Sequence, residues 1–314
     1  MDNQKNLRER YMSGTYNNGK PLEGREMFIE AISKKGSSLE NLNFKKNVIG
    51  SDETGKGEAF RPLIVVAAYV KKENVEALIG MDIRDSKSYK ANDKDSKEDK
   101  RVKYKKTKQK ICDIGKKLTG FTSYTDFEKQ RENGIVIEKA YVTFVANVIP
   151  NGVYNERWKS DKTKKDYLNE NELVRKYHAD AVNSLANEVK YDYVVVDNFE
   201  NSHPENIQKE IKLPEDKTII IEKADKFVIT VACASVIAKY LGYLYIEKLA
   251  ADYKLDEFED FGKTGEFTTE MCDQLWKKLE NPRLFFKNYV KKFKNVVDRL
   301  NDREEGLGKL YDEE

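Results

Sequence analysis

Two apolar runs between residues 47 and 72 limit the fold more strongly than any other feature of this sequence. The run NVIGSDETG begins at Asn47, and RPLIVVAAYVKK follows it after a turn that contains Gly55 and Gly57. Short apolar runs on either side of a glycine turn predict a β-hairpin. We therefore expect a sheet in which these two strands are antiparallel neighbours.

The later part of the chain alternates strands with helices. DYVVVDNF and KTIIIEKAD are the clearest further strands, and a helix-like segment containing a proline lies between them. FVITVACASVIAKYLGYLYIEKLAADY predicts a long helix whose small residues allow close packing on a sheet. A hairpin followed by crossover helices indicates a mixed sheet with helices packed on it, in the α/β or α+β class.

Other segments give less distinct patterns. We expect GFTSYTDF to form a strand or a sheet edge, and IEKAYVTFVANVIP to form a helix that ends before Pro150. Residues 151–171 are polar and predict a loop, and ELVRKYHADAVNSLANEV predicts a helix.

The charge of the chain is nearly balanced. With 57 basic and 55 acidic residues the net charge is +2, so attraction to a polyanion must come from local clusters. One such cluster, the lysine-rich stretch from Lys94 to Lys110, contains nine basic and three acidic residues. It is either a solvated helix and loop or a surface that binds substrate.

The cysteines and the apolar pattern indicate the compartment. Cys112, Cys233 and Cys272 are far apart, which argues against a zinc site and against a disulfide framework. No signal-like segment begins the sequence, and no uninterrupted apolar run approaches the roughly 20 residues needed to span a bilayer. We expect a cytoplasmic protein.

Four acidic residues lie where predicted strands end. Asp52 and Glu53 are in the first strand, Asp197 ends YVVVD, and Asp225 follows TIIIEKA. Carboxylates at such places need a compensating charge, and ligand sets made only of oxygen suit Mg²⁺ or Mn²⁺. Each acid alone is also a common cap of a turn or helix. Together they predict a shared site where two ions could hydrolyse a phosphodiester.

The turn Gly55-Lys56-Gly57 suggests contact with a phosphate or a sugar. Glycine lacks a Cβ, so the backbone can approach a ligand closely, and the lysine adds a positive charge. The pattern is neither a dinucleotide fingerprint nor a Walker sequence.

Four segments, in this order, resemble the motifs of the type 2 ribonucleases H: IGSDETGKGEAFRPLIVVAAYV, IRDSKSY, VVVDNF and EKADKFVITVACASVIAKY. The Gly-Lys-Gly form is similar to ribonuclease HIII rather than to the Gly-Arg-Gly of ribonuclease HII. VYNE, YHADAV and NYVKKFKN extend the resemblance to about residues 47–295. It implies an α/β fold with a ribonuclease-H-like mixed β-sheet flanked by helices. We divide the chain into a polar N-terminal extension (1–45), the catalytic domain (46–255) and a helical C-terminal part packed on it (256–314).

The resemblance implies a metal-dependent endoribonuclease that hydrolyses the RNA strand of RNA/DNA hybrids and leaves 5′-phosphate and 3′-hydroxyl ends. The catalytic, metal-binding residues it implies are Asp52, Glu53, Asp197 and Asp225. The substrate-binding residues it implies are Gly55, Lys56, Gly57, Ser86 and Lys87. The first three of these would read the ribose 2′-hydroxyl, which distinguishes RNA from DNA. We expect Mg²⁺ or Mn²⁺, two ions, as the cofactor, the RNA/DNA hybrid as the partner, a monomeric state, no membrane and no small-molecule cofactor.

Two features depart from the family pattern. Ribonucleases HIII usually carry an N-terminal substrate-binding domain, for which the roughly 45 residues here are too few and too polar. Arg61 replaces the usual glycine before the motif proline, and either adds a phosphate contact or marks an altered pocket. These departures leave open a catalytically weak hybrid-binding protein on the same fold. A ribonuclease HII that acts at single ribonucleotides in DNA is a further alternative.

Some polar and aromatic residues have simpler interpretations. We expect His178 to be a structural residue on a helix, satisfied by a hydrogen bond, and Cys233 to be a small buried residue. Ser235 is interpreted as a close-packing residue, with a supporting role near the metal site as the alternative. The aromatic residues of YLGYLYIEKL have helical spacing and are expected in the core.

Overall fold

A mixed β-sheet of six strands forms the centre of the computed structural model, which describes residues 46–81, 83, 96–157, 170–199, 204–221, 224–226, 228–255 and 269–291. The strands are β1 (Val48–Thr54), β2 (Leu63–Val70), β3 (Val136–Glu138), β4 (Thr143–Ile149), β5 (Tyr193–Asp197) and β6 (Thr218–Ile221). Their order across the sheet is β3-β4-β2-β1-β5-β6.

The helices surround this sheet. They are α1 (Val75–Gly80), α2 (Lys97–Thr119), α3 (Tyr124–Glu132), α4 (Asn151–Arg157), α5 (Glu170–Glu188), α6 (Pro204–Glu210), α7 (Ile229–Asp252), α8 (Thr269–Lys278) and α9 (Pro282–Tyr289). A short 3₁₀ turn, Ala224–Lys226, precedes α7.

The pairing of the strands confirms the predicted hairpin and the mixed sheet. β1 pairs antiparallel with β2 along its whole length, and β2 and β3 pair antiparallel with β4. β5 pairs in parallel with both β1 and β6. The C-terminal ends of β1, β5 and β6 therefore lie at the same edge of the sheet, where the predicted acids follow.

Helix α7 packs on one face of the sheet, against β1 and β2. Gly50 in β1 makes this approach possible, because a Cβ at that position would lie 2.3 Å from the backbone nitrogen of Val231 in α7. By length and composition α7 could cross a membrane, but 89% of its most apolar stretch is buried inside the protein. It is the core helix that the sequence predicts, and it includes the buried Cys233 and Tyr240.

Helix α5 covers the other face of the sheet. Its residues Ala179 and Val182 pack in one cluster with Ile49 of β1 and Val194 of β5. Alternate residues of β1 therefore face α5 and α7, since successive side chains of a strand point to opposite faces.

The described part of the C-terminal segment packs on the end of α7 and on the loop between β1 and β2. Phe285 and Phe286 of α9 share a buried cluster with Leu249 and Phe60. Asn151 at the start of α4 fixes this junction, because its side-chain amide donates to the backbone oxygen of Phe60 at 2.8 Å.

Three local predictions were wrong. GFTSYTDF does not form a strand; it leads into α3, because the Ser123 side chain accepts a hydrogen bond from the backbone of Asp126, whose carboxylate accepts one from the backbone of Ser123. IEKAYVTFVANVIP forms the hairpin of β3 and β4 rather than a helix, since pairing of β4 with β2 buries its apolar residues. Residues 151–157 form α4 rather than a loop.

Candidate active site

Asp52 and Glu53 lie near the end of β1 and point to opposite faces of the sheet. Asp52 is on the side of Gly50, which faces α7, whereas Glu53 is on the side of Ser51 and reaches α5. The Oδ1 atom of Asp52 accepts a hydrogen bond of 2.9 Å from the backbone nitrogen of Glu53. Asp52 is buried and Glu53 is half-buried.

Asp197 ends β5 and is linked to the turn that contains Asp225. Its Oδ1 atom accepts a hydrogen bond of 2.7 Å from the backbone nitrogen of Ala224. Burial raises the pKa of Asp197 well above its ordinary value, and the negative charges of Asp52, Glu53 and Asp225 raise it further, against the opposing effect of the Ala224 hydrogen bond. The structure thus brings the four predicted acids into one electrostatic cluster.

The chemistry of this acidic cluster fits a divalent metal ion. Its ligands are carboxylate oxygens, which Mg²⁺ and Mn²⁺ prefer, and a cation would offset the repulsion that raises the pKa of Asp197. Within the described ranges, no three His, Cys, Asp or Glu side chains are already grouped as a metal site.

His178 on α5 is fully buried and holds Glu53. Its Nε2 atom lies 3.0 Å from Oε2 of Glu53, and its Nδ1 atom lies 2.8 Å from Oγ of Ser51. The Ser51 hydroxyl also lies 3.0 Å from the backbone oxygen of Val66, and it can donate its hydrogen to that oxygen or to Nδ1 of His178. A carboxylate only accepts hydrogen bonds, so Nε2 of His178 donates in its contact with Glu53.

The expectation that His178 is buried and hydrogen-bonded is confirmed, but its partner is one of the predicted catalytic acids. The local motif YHADAV gave no indication of this contact, because Glu53 is 125 residues away along the chain. His178 is thus a residue of the site that reasoning from the sequence missed.

The turn Gly55-Lys56-Gly57 forms as predicted. The backbone nitrogen of Glu58 donates to the oxygen of Gly55 at 3.1 Å, which closes a β-turn. Gly55 and Gly57 both have positive φ, 88° and 74°. A Cβ on Gly55 would lie 2.0 Å from the backbone oxygen of Pro62, whereas a Cβ on Gly57 would have no atom within 4 Å. Gly55 is therefore needed for packing, whereas no other atoms crowd the side-chain position of Gly57.

Lys56 is oriented toward α5 and the segment after β5. Its Nζ atom donates to Oδ1 of Asn171 at 2.8 Å and to the backbone oxygen of Phe199 at 3.3 Å. The ring of Phe199 stacks on His178, with 5.0 Å between ring centroids. One aromatic ring thus connects the glycine turn with the histidine that holds Glu53.

Arg61 lies in the interior. Its guanidinium forms an ion pair of 2.9 Å with Glu58 and lies 4.7 Å from the ring centroid of Tyr243. Only 5% of Arg61 is exposed, so it does not present its charge to a ligand at the surface. Of the two interpretations of Arg61, the structure favours the altered pocket over the phosphate contact.

The remaining predicted residues are distributed as follows. Ser86 and Lys87 lie outside the described residues. Residues 97–110 of the lysine-rich stretch lie on α2, where Lys105 and Lys106 are exposed. Ser235 is buried on α7 and accepts a hydrogen bond of 2.8 Å from Nζ of Lys239.

Comparison with models of protein families shows the family to which the chain belongs. The family model described as Ribonuclease HII matches residues 49–289, which include the whole acidic cluster and the glycine turn. The chain belongs to the ribonuclease HII family.

Within this family, the chain is similar to curated ribonucleases HIII. The chain is 26% identical over 232 residues to ribonuclease HIII of Staphylococcus saprophyticus and 28% identical over 233 residues to that of Staphylococcus haemolyticus. Both alignments cover 71% of this chain and 60% of the relative. The chain therefore spans about 60% of the length of these two relatives.

Solved structures confirm the fold of this ribonuclease HII family member. Bst-RNase HIII in complex with Mn²⁺ superposes with a TM-score of 0.59 at 18% identity, covering 85% of this chain and 75% of the other. RNase H3 of Aquifex aeolicus gives a TM-score of 0.51 at 16% identity, covering 88% and 82%. The predicted ribonuclease-H-like mixed sheet flanked by helices, with a helical C-terminal part, is confirmed.

Proposed function

We propose that this chain is a metal-dependent endoribonuclease that hydrolyses the RNA strand of RNA/DNA hybrids and leaves 5′-phosphate and 3′-hydroxyl ends. The observation that carries the proposal is the cluster of Asp52, Glu53, Asp197 and Asp225, in which burial and mutual repulsion raise the pKa of Asp197. The family membership and the relatives named ribonuclease HIII support it. The Mn²⁺ in the Bst-RNase HIII structure supports a divalent cofactor.

The four acids have a defined role in this proposal. Asp52, Glu53, Asp197 and Asp225 would hold the metal cofactor, for which we propose two ions of Mg²⁺ or Mn²⁺. When bound, such ions activate a water molecule and stabilise the leaving oxygen of a phosphodiester. The contact with His178 sets the direction in which the Glu53 carboxylate points before metal and substrate arrive.

The glycine turn would supply the specificity for RNA. The open backbone of Gly57 allows close approach of a ribose, whose 2′-hydroxyl is absent from DNA. Asn171 and Phe199 hold the ammonium of Lys56 beside this turn, where its charge favours a phosphate backbone. We further propose that the protein acts as a monomer in the cytoplasm.

A second candidate is a hybrid-binding protein with weak catalysis. It is favoured by the absence, among the described residues, of a ready-made group of three metal ligands. A third candidate, cleavage at single ribonucleotides in DNA, shares the site and differs in the substrate.

A panel of labelled duplexes separates these candidates. The purified chain is incubated with an RNA/DNA hybrid, a double-stranded RNA, a DNA duplex and a DNA duplex that holds one ribonucleotide, each with Mg²⁺, Mn²⁺ or EDTA. We expect cleavage of the hybrid with either ion, none in EDTA, and almost none of the other duplexes. Binding of the hybrid without cleavage at either ion supports the second candidate, and preferred cutting at the single ribonucleotide supports the third.

A further inference from the structure

Lys291, the last described residue of the C-terminal part, is fully buried directly below the glycine turn. Its Nζ atom donates a hydrogen bond to the backbone oxygen of Gly55 and lies 4.9 Å from the ring centroid of Tyr154. Its backbone nitrogen donates to the oxygen of Ala59 at 2.8 Å. The lysine is therefore anchored to both sides of the loop that follows β1.

The buried ammonium is electrostatically costly. Burial lowers the pKa of Lys291 to about 7, and the nearby positive charge of Arg61 acts in the same direction. The carboxylates of Glu58 and Glu170 oppose this decrease. Glu58 is engaged by Arg61, and Glu170 accepts a hydrogen bond of 2.7 Å from the Tyr154 hydroxyl. Both carboxylates therefore have partners other than Lys291.

Stability alone does not account for a lysine at this position. An unbranched apolar side chain such as methionine would occupy a similar volume without the cost of burying a charge. What methionine cannot do is donate a hydrogen bond to the oxygen of Gly55. The position therefore suggests a role in fixing that carbonyl group.

The carbonyl of Gly55 is the first element of the turn that presents Gly57. It accepts hydrogen bonds both from the backbone of Glu58, which closes the turn, and from Lys291. The backbone of Gly55 has little freedom to rotate, because its φ is positive and it packs closely on Pro62. Movement of this carbonyl would therefore move the open backbone of Gly57.

We propose that Lys291 is a positioning residue for the substrate-binding turn, which fixes the Gly55 carbonyl and thereby places Gly57 against the ribose of the RNA strand. This inference rests on the proposed function, and it adds a residue 236 positions away in sequence to the specificity of the site. The residue acts through the turn and does not itself touch the substrate.

The test compares Lys291→Met with Lys277→Met, a matched change of an exposed lysine on α8. Thermal unfolding is measured first, followed by kcat and KM on an RNA/DNA hybrid. We expect Lys291→Met to unfold at the same or a higher temperature, to raise KM at least fivefold and to change kcat less than twofold. Lys277→Met should match the wild type in all three. A merely structural role would instead lower stability, kcat and affinity together, and that result overturns the proposal.

Binding in EDTA keeps this test separate from the proposed catalysis. The Kd values for the hybrid and for a DNA duplex of the same sequence are measured for both variants. We expect Lys291→Met to lose at least fivefold in hybrid affinity with no change for DNA. If the wild type binds both duplexes equally, or if the variant keeps its hybrid preference, the proposal is wrong even where the wild type cleaves. Should Lys291→Met fail to fold, Lys291→Gln must show the same selective loss, or the proposal is likewise overturned.

Discussion

The Nε2 atom of His178 lies 3.0 Å from the Oε2 atom of Glu53, and the other ring nitrogen of the same histidine contacts Ser51, two residues earlier in β1. One buried side chain from α5 therefore fixes two positions on the same face of the strand that carries the acids. Glu53 is held toward α5, while Asp52 leaves β1 on the face of α7. The direction of Glu53 is thus a property of the fold before any ligand binds.

Replacement of His178 tests whether the direction of Glu53 matters. We expect His178→Ala to lower kcat on the hybrid at least about tenfold, or about 1.4 kcal/mol, because Glu53 loses its partner. It should also lower the free energy of unfolding by about 1–3 kcal/mol, since the Ser51 hydroxyl loses a buried partner. Steady-state kinetics and denaturant unfolding measure both effects. An unchanged kcat in a folded His178→Ala protein would show that catalysis does not depend on this contact.

Asp197→Asn tests the repulsion within the acidic cluster. The folded pKa of Asp197 is raised, so the metal-free wild type loses stability as the pH rises from about 4, the ordinary value of an aspartate, through the raised folded value. Asparagine carries no charge and avoids this loss. In EDTA the variant should therefore unfold at a higher temperature than the wild type at pH 7.5, and the difference should shrink below pH 4.

Metal ions should reduce the stability advantage that Asp197→Asn has over the wild type in EDTA. Mg²⁺ or Mn²⁺ stabilises the state that binds it, so either ion should raise the unfolding temperature of the wild type more than that of Asp197→Asn. The variant should be inactive. If Asp197→Asn is less stable than the wild type at every pH in EDTA, the acids do not repel one another in the folded protein.

The buried Lys291 should make the wild type more stable as the pH rises, which is the opposite of the effect expected from Asp197. The pKa of Lys291 is lowered to about 7 in the folded protein, whereas an unfolded lysine titrates near 10.4. The unfolded chain therefore binds more protons between these values, and the wild type gains up to about 1.4 kcal/mol per pH unit as the pH rises. The advantage of Lys291→Met over the wild type should be largest at pH 6 to 7 and should decrease toward pH 10. Urea unfolding at four pH values measures it, and a constant difference would show that Lys291 is not a titrating buried cation.

Gly57→Ala tests the reading of RNA by the turn. Alanine disfavours the φ of 74° and adds a Cβ to the backbone that is otherwise open to a ligand. We expect hybrid cleavage to fall at least about tenfold, or about 1.4 kcal/mol of transition-state stabilisation, while DNA duplex binding changes little. Equal losses for hybrid and DNA would make the turn a general phosphate cradle.

The sequence predicted the parts of the site that local pattern encodes. Apolar runs defined β1, β5 and β6, and the position of Asp197 at the end of such a run placed it at the common edge of the sheet. Short-range patterns were less reliable where tertiary pairing decides the structure. The residues of β4 became a strand because β2 offers an edge to pair with, and the serine cap at Ser123 outweighed the β-forming tendency around it.

The contacts that hold the site in place could not be predicted from local patterns. His178 meets Glu53 across 125 residues and Lys291 meets Gly55 across 236 residues. In both cases the contact depends on how helices pack on the sheet and on its loops, and no spacing within a motif encodes that packing. Arg61 illustrates the same limit, because only the positions of Glu58 and Tyr243 show that its guanidinium is internal.

The most direct test of the central claim is cleavage of a hybrid whose RNA strand carries a 5′ label, with the wild type and Asp52→Asn assayed side by side. Asparagine keeps the volume of the side chain and removes its negative charge, so both proteins should fold equally, as circular dichroism would verify. We predict that the wild type cuts the RNA strand at several positions with Mg²⁺ or Mn²⁺ and not in EDTA, and that Asp52→Asn loses at least about 1,000-fold in rate, or about 4 kcal/mol. A wild type that binds the hybrid but leaves it intact with both ions, or a variant that cuts it at the wild-type rate, would contradict the assignment of this cluster as the active site.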